Sequence, residues 1–207
     1  CHPKIIGFNN KKYYNNKLNI RSSDNEKQPL EFIQCHSEAS TLKNTSEREA
    51  REIIHYVKTH PNKTIAVITP FVNQRNKIQE ELNQNGITNV DCGTVHAFQG
   101  DEKQEIIFSL ALTDKTHEKT YSWLKNNKEL INVATSRAKE KLVIIGDMEQ
   151  LNRLHHPGDD DDLFELCNYV SSNGITTITE RAPESRALGI KPYSTETETA
   201  FLETLNH

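Results

Sequence analysis

An α/β domain with a central, mostly parallel sheet flanked by helices is the fold class this sequence predicts, and three observations carry the prediction. Short β-branched runs such as Thr64-Ile-Ala-Val-Ile-Thr69 and Lys141-Leu-Val-Ile-Ile-Gly146 are almost wholly apolar, as strands covered on both faces must be. Segments of helical period alternate with those runs. Proline and glycine punctuate the joints, and alternation of this kind implies parallel strands joined by right-handed crossovers.

The elements follow in order. Residues 1–45 are polar and rich in Asn and Lys, with scattered apolar anchors at Ile5, Phe8, Tyr13 and Leu18, and read as a loosely packed surface segment. Thr45-Ser46 then signals a helix start, with Glu47 and Glu49 in the first turn, Ala50, Ile53, Ile54 and Val57 at helical spacing, and Pro61 as the stop. After the strand at 64–69, Pro70 opens a second helix that ends at Gly86. Ile87 to Asp91 reads as a short strand and Glu105 to Leu112 as a longer one, with the polar stretch Gly93 to Lys103 between them. A helix from Lys128 to Ala138 leads into the strand at 141–146. In a parallel sheet ligands gather at the carboxyl ends of the strands, which directs attention to the loops after Ile68, Asp91, Leu112 and Ile145.

Beyond Asp147 the pattern weakens. His155 and His156 precede the aspartates Asp159 to Asp162 and a short helix from Leu163 to Val170. N-capping and the helix dipole account for acidic residues there, so no metal site is expected. Residues 176–195 read as a linker, and Ser194 caps a helix carrying Ala200, Phe201, Leu202 and Leu205. The expected division is a domain over residues 1–172, then a linker and the start of a following domain over 173–207. The absence of an initial Met and a last helix cut off in mid-pattern suggest a piece of a longer protein.

Composition narrows the function. The 207 residues carry a net charge of −4, which excludes a generally cationic nucleic-acid binder but not a protein touching a few phosphates. Cys1, Cys35, Cys92 and Cys167 lie far apart with no C-x-x-C pair, which supports neither a disulfide framework nor a zinc ribbon. A cytoplasmic setting is the default. No apolar stretch approaches the roughly 18 residues that span a bilayer, so no membrane partner is expected.

Two segments carry chemistry. Thr94-Val-His-Ala-Phe-Gln-Gly-Asp-Glu102 places small and hydrogen-bonding groups in a loop between strands: Gly100 lets backbone amides approach a ligand, and Thr94, His96 and Gln99 are neutral donors suited to phosphate or sugar oxygens. An ordinary polar loop is the alternative. Ile131-Asn-Val-Ala-Thr-Ser-Arg-Ala-Lys139 presents Arg137 near the sheet's ligand edge, either for bidentate phosphate contacts or merely to complement a helix C-terminus.

Taken together, in this order and between these strands, the two segments resemble motifs V and VI of the second RecA-like domain of superfamily 1 helicases. The subgroup resembled is that of the nonsense-mediated-decay RNA helicase and its bacterial DNA-acting relatives. Motif V is matched by Thr94, Val95, Phe98, Gln99, Gly100 and Glu102, and motif VI by Asn132, Val133, Ala134, Ser136, Arg137 and Ala138. Ile68 to Gln74 resembles motif IV, with Phe71 where tyrosine is usual, and Cys1-His-Pro with Phe8 and Tyr13-Tyr14 resembles the sequence after motif III. The family's Tyr-Arg pair before Cys1 falls upstream of this sequence.

The resemblance implies a RecA-like P-loop NTPase fold and an ATP-dependent helicase or translocase. It makes Arg137 the arginine that reaches ATP phosphates across an interdomain cleft. Gly100, Glu102 and Gln99 are implied at the nucleotide, and Thr94, His96, Thr69 and Gln74 at the nucleic acid. The partners implied are single-stranded nucleic acid, DNA ahead of RNA, and an upstream RecA-like domain that holds most of the ATP and Mg²⁺ site. No G-x-x-x-x-G-K-(S/T) loop and no magnesium-binding acidic pair closing an apolar strand occur in this sequence, so the fragment alone is expected to be inactive. The alternatives are a RecA-like scaffold without ATP turnover and, for Ser194, Glu196, Glu198, Phe201 and Leu205, the opening of a nuclease-like domain.

Overall fold

The computed structural model describes residues 1–18, 26–98 and 102–179. Six strands form one sheet: β1 (Leu30–Gln34), β2 (Ile65–Ile68), β3 (Asp91–Gly93), β4 (Lys103–Ser109), β5 (Ala138–Gly146) and β6 (Ile175–Ile178), in the order β3-β2-β4-β5-β1-β6. Every pairing is parallel. The helices are α1 (Pro3–Tyr13), α2 (Glu47–Thr59), α3 (Val72–Gln84), α4 (Glu118–Lys125), α5 (Lys128–Ser136), α6 (Met148–Leu154) and α7 (Asp162–Asn173), with a 3₁₀ turn at Val95–Phe98.

Alternation along the strands feeds two cores. Val67, Ile107, Val143 and Ile145 meet α2 and α3 on one face. Ile68, Phe108, Leu142 and Ile144 meet α1, α5 and α7 on the other. This is why the central strands read as unbroken apolar runs.

The N-terminal segment departs from expectation. Residues 1–45 contribute α1 and the interior strand β1, which pairs with both β5 and β6. β1 escapes a pattern reading because Glu31 sits in it. That carboxylate is buried, with Lys141 Nζ at 2.6 Å and the Thr177 hydroxyl donating at 2.9 Å. β3 begins at Asp91, where the expected strand ends. Ile87 is taken up by the end of α3, its N–H donating to the Leu82 carbonyl at 2.9 Å while Gly86 turns with φ +68°.

Two short helices, α4 and α6, also appear where no helix is predicted. The sheet continues past the expected boundary at 172. Gly174 joins α7 directly to β6, at a point where a Cβ would collide with the Leu30 carbonyl. The remainder of the expected linker, with Ser194, Glu196, Glu198, Phe201 and Leu205, lies outside the described residues. No described helix is long and apolar enough to cross a membrane.

Candidate functional site

Because α5 runs straight into β5, Arg137 as its C-cap stands at the amino end of the sheet, not at the carboxyl edge expected from the sequence. Its N–H donates to the Val133 carbonyl at 3.2 Å, and its carbonyl accepts from Lys103 N–H at 3.1 Å where β4 begins. The guanidinium Nε is buried and has no hydrogen-bond partner among the described residues. A buried polar donor without a partner is costly and uncommon in a folded protein. An arginine so placed suits an anion arriving from outside.

The segment carrying Arg137 is held from two sides. Asn9 on α1 is buried and its amide donates to Asn132 Oδ1 at 2.9 Å and to Thr135 Oγ1 at 2.6 Å. The Cys1 thiol donates to the Thr135 carbonyl at 3.3 Å. On the other side the 3₁₀ turn packs on α5 through buried Val95 and Phe98. Sequence reading gave Asn9 no role, since nothing in an Asn/Lys run distinguishes a buried asparagine from an exposed one.

The loop resembling motif V joins the two edges. Thr94 leaves β3 at the carboxyl edge, where Gly93 pairs with Ile68 and its carbonyl accepts from Thr69 N–H at 3.2 Å. The 3₁₀ turn at Val95–Phe98 packs on α5, and Glu102 stands beside the start of β4, 3.5 Å from Lys139 Nζ. The seven residues of β4 separate those ends by about 20 Å at ~3.3 Å per residue. The loop therefore has one foot beside Arg137 and the other at the opposite edge. Thr94 is half-buried and Glu102 exposed. Gln99, Gly100 and the His96 side chain lie outside the described residues.

Two further candidates lie inside the domain. Thr69 and Gln74 are both fully buried, and Thr69 Oγ1 has no hydrogen-bond partner among the described residues. Gln74 is instead part of a closed network under the carboxyl edge. Its Oε1 accepts from Ser46 N–H at 2.8 Å, and its amide donates to the Ser46 carbonyl at 3.2 Å and the Ser109 hydroxyl at 3.1 Å. At the centre lies Glu49, which accepts from Ser37 Oγ at 2.7 Å, Ser109 Oγ at 2.7 Å and Ala111 N–H at 2.9 Å. Burial pushes the Glu49 carboxyl up to about 7 against the pull of those donors. Ser46-x-x-Glu49 has the spacing of a capping box, but only half of one forms. Ser46 Oγ accepts from Glu49 N–H at 3.2 Å, while the Glu49 carboxylate turns into the sheet and Gln74 takes over the Ser46 N–H.

Two clusters have metal-ligand composition among the described residues, His36 with Asp147 and Glu149, and Asp160 with Asp162 and Glu165. Neither is poised for an ion. Lys12 Nζ already sits against the second, 3.3, 3.0 and 2.7 Å from its three carboxylates. Asp147 already accepts from Gln34 Nε2, Ser37 N–H and Glu149 N–H. Asp161 caps α7 by accepting from Phe164 N–H at 2.9 Å, the capping role expected of this acidic run.

Comparison with known proteins gives this α/β domain a family. Residues 1–149 match the AAA_12 family, described as an AAA domain. The chain belongs to that family. An RNA helicase of Mus musculus is 34% identical over 131 residues, covering 61% of this chain and 10% of the relative. A DNA replication ATP-dependent helicase/nuclease of Xenopus laevis is 32% identical over 143 residues, covering 66% of this chain and 13% of the relative. The chain thus spans about a tenth of the length of these relatives. Among solved structures, the C-terminal domain of a possible DNA helicase from a Lactobacillus aligns over 86% of this chain and 96% of its own, with a TM-score of 0.49 and 13% identity.

Proposed function

We propose that this chain is the C-terminal RecA-like motor domain of an ATP-dependent superfamily 1 helicase or translocase acting on single-stranded nucleic acid. The observation that carries the reading is the buried Arg137 Nε, without a partner among the described residues, at the sheet edge where Glu102 also stands. Bound ATP, with Mg²⁺ held mainly by an upstream RecA-like domain, supplies the phosphoryl group to be transferred. Arg137 supplies a fixed positive charge where negative charge develops on that group. Gln99, Gly100 and Glu102 form the part of the loop that faces the nucleotide. Thr94 and His96 face the backbone of the strand and read phosphate and sugar rather than bases. Because one loop spans both edges, closing the interdomain cleft onto Arg137 shifts Thr94 and His96 along the strand, and reopening resets them.

The relatives' names include both an RNA and a DNA helicase, and the DNA strand stands first in this proposal. The test is ATP hydrolysis by the full-length protein with and without single-stranded DNA or RNA, comparing wild type with Arg137→Ala. Loss of the arginine is expected to lower stimulated turnover by on the order of 10³-fold. The polymer that stimulates more strongly names the substrate. A wild type that never turns over ATP, or a variant that equals it, replaces this reading with a RecA-like scaffold.

A further inference from the structure

Two large apolar side chains stand exposed near the carboxyl edge: Trp123 on α4, 57% exposed, and Val72 at the start of α3, 55% exposed and next in sequence to Phe71. Phe71 is buried, its ring centroid 6.5 Å from that of Trp123 and tilted by 43°. Trp123 is not needed to dock its helix. Tyr121 and Leu124 do that, both buried, with the Tyr121 hydroxyl donating to Asp161 at 2.8 Å. An indole left in water near a second apolar group is an unusual use of the sequence's single tryptophan.

The charge around it is cationic. Lys119 is exposed one turn before Trp123 on the same helix, and Lys43 is exposed on the loop whose carbonyl accepts from Asn73 Nδ2 at 3.0 Å, next to Val72. Arg75, one turn into α3, lies near Cys92, the residue two before Thr94. No carboxylate is within ion-pair distance of these three among the described residues, as is also true of Lys4, Lys11 and Lys115 elsewhere on the surface. Glu118, the acidic residue nearest on the helix, turns to His156 at 3.8 Å. An exposed aromatic ring bordered by unpaired cations has the composition of a single-strand platform, where a base stacks and its phosphates are met on either side.

We infer that Trp123 stacks on one base of the bound single strand, with Lys119, Lys43 and Arg75 meeting the adjoining phosphates. This rests on the reading of Thr94's edge as the nucleic-acid side and adds to it a contact with a base face. Stacking tolerates any base, so Trp123 contributes grip without sequence preference.

The experiment measures binding of the full-length protein to fluorescent oligothymidylate and oligouridylate, and to an abasic strand of equal length, for wild type, Trp123→Phe and Trp123→Ala. Trp123→Ala is expected to weaken binding to the base-bearing strand by roughly 5- to 150-fold, Trp123→Phe to recover most of it, and all three to bind the abasic strand alike. Equal binding of wild type and Trp123→Ala to the base-bearing strand, or an equal loss on the abasic strand, overturns the stacking role while leaving the helicase reading in place. A wild type that binds neither oligonucleotide overturns both.

Discussion

A buried network under one edge of the sheet and a buried arginine at the other hold their polar groups in different ways, although Thr69 Oγ1 at the carboxyl edge also has no partner among the described residues. Under the carboxyl edge, Glu49, Gln74, Ser37, Ser46 and Ser109 form a buried network in which each named group has its partner within the chain. At the amino edge, Arg137 has a buried Nε with no partner among the described residues, and its neighbours Glu102 and Lys139 form an open ion pair at 3.5 Å. The contrast separates polar residues that specify the fold from polar residues kept for something outside it. Both sets are polar residues in motif-like segments, so residue type alone does not sort them. Satisfaction does.

The largest effect that would break this comparison is at Arg137. Its replacement by Ala is expected to cut nucleic-acid-stimulated ATP turnover by on the order of 10³-fold in the full-length protein and yet leave the thermal midpoint of unfolding unchanged or slightly raised, because an unpartnered buried donor has been removed. Activity and melting curves on the same preparation check this. A large fall in stability would move Arg137 into the class of fold-specifying residues.

Next in size is Glu49. Glu49→Ala strands Ser37 Oγ, Ser109 Oγ and Ala111 N–H, and at about 1–3 kcal/mol for each unsatisfied buried group it is expected to cost about 3 kcal/mol or more in urea unfolding. The same carboxyl sets a pH dependence whose sign follows from its raised pKa. The folded state holds its proton up to about 7, while the unfolded chain releases it near the ordinary value of 4.5. The stability contributed by that proton is full below 4.5 and is lost as pH rises through about 7. The fall is roughly 3 kcal/mol at most. Unfolding measured at about pH 5 and about pH 8 should show it, and Glu49→Gln, which keeps the shape without the titration, should flatten it.

How much of this was legible in the sequence follows the same divide. Strands β2, β4 and β5 were readable because burial on both faces leaves an unbroken apolar run, and α2 and α3 because Ser46, Pro61, Pro70 and Gly86 mark their ends. Strand β1 was not, since Glu31 is tolerated in it only through Lys141 and Thr177, distant in sequence. Arg137 was legible as a candidate but its edge was not, because placing it requires knowing that α5 enters β5 without a loop. Gln74 looked available for the opposite reason: a polar side chain reads as exposed until its partners are seen.

Gln74 gives the next test. If it belongs to the fold, Gln74→Ala leaves the buried Ser46 N–H without an acceptor and costs roughly 1–3 kcal/mol in stability, while single-strand affinity changes little. Urea unfolding and oligonucleotide binding on one variant separate the two roles. Weakened binding at unchanged stability would return Gln74 to the nucleic-acid surface.

The smallest expected effect sharpens the amino edge. Glu102 and Lys139 are both exposed, and an exposed ion pair is worth about 0–1 kcal/mol, so Lys139→Ala should leave the unfolding midpoint almost unmoved. Lys139 nonetheless stands two residues after Arg137, and Glu102 closes the loop that starts at Thr94. If that pair registers the loop against the arginine, Lys139→Ala lowers the stimulation of ATP turnover by single strands more than it lowers turnover without them. Equal reduction of both rates, or none, would make the pair an ordinary surface contact and leave the backbone bond from Lys103 N–H to the Arg137 carbonyl, at 3.1 Å, as the tie between loop and arginine.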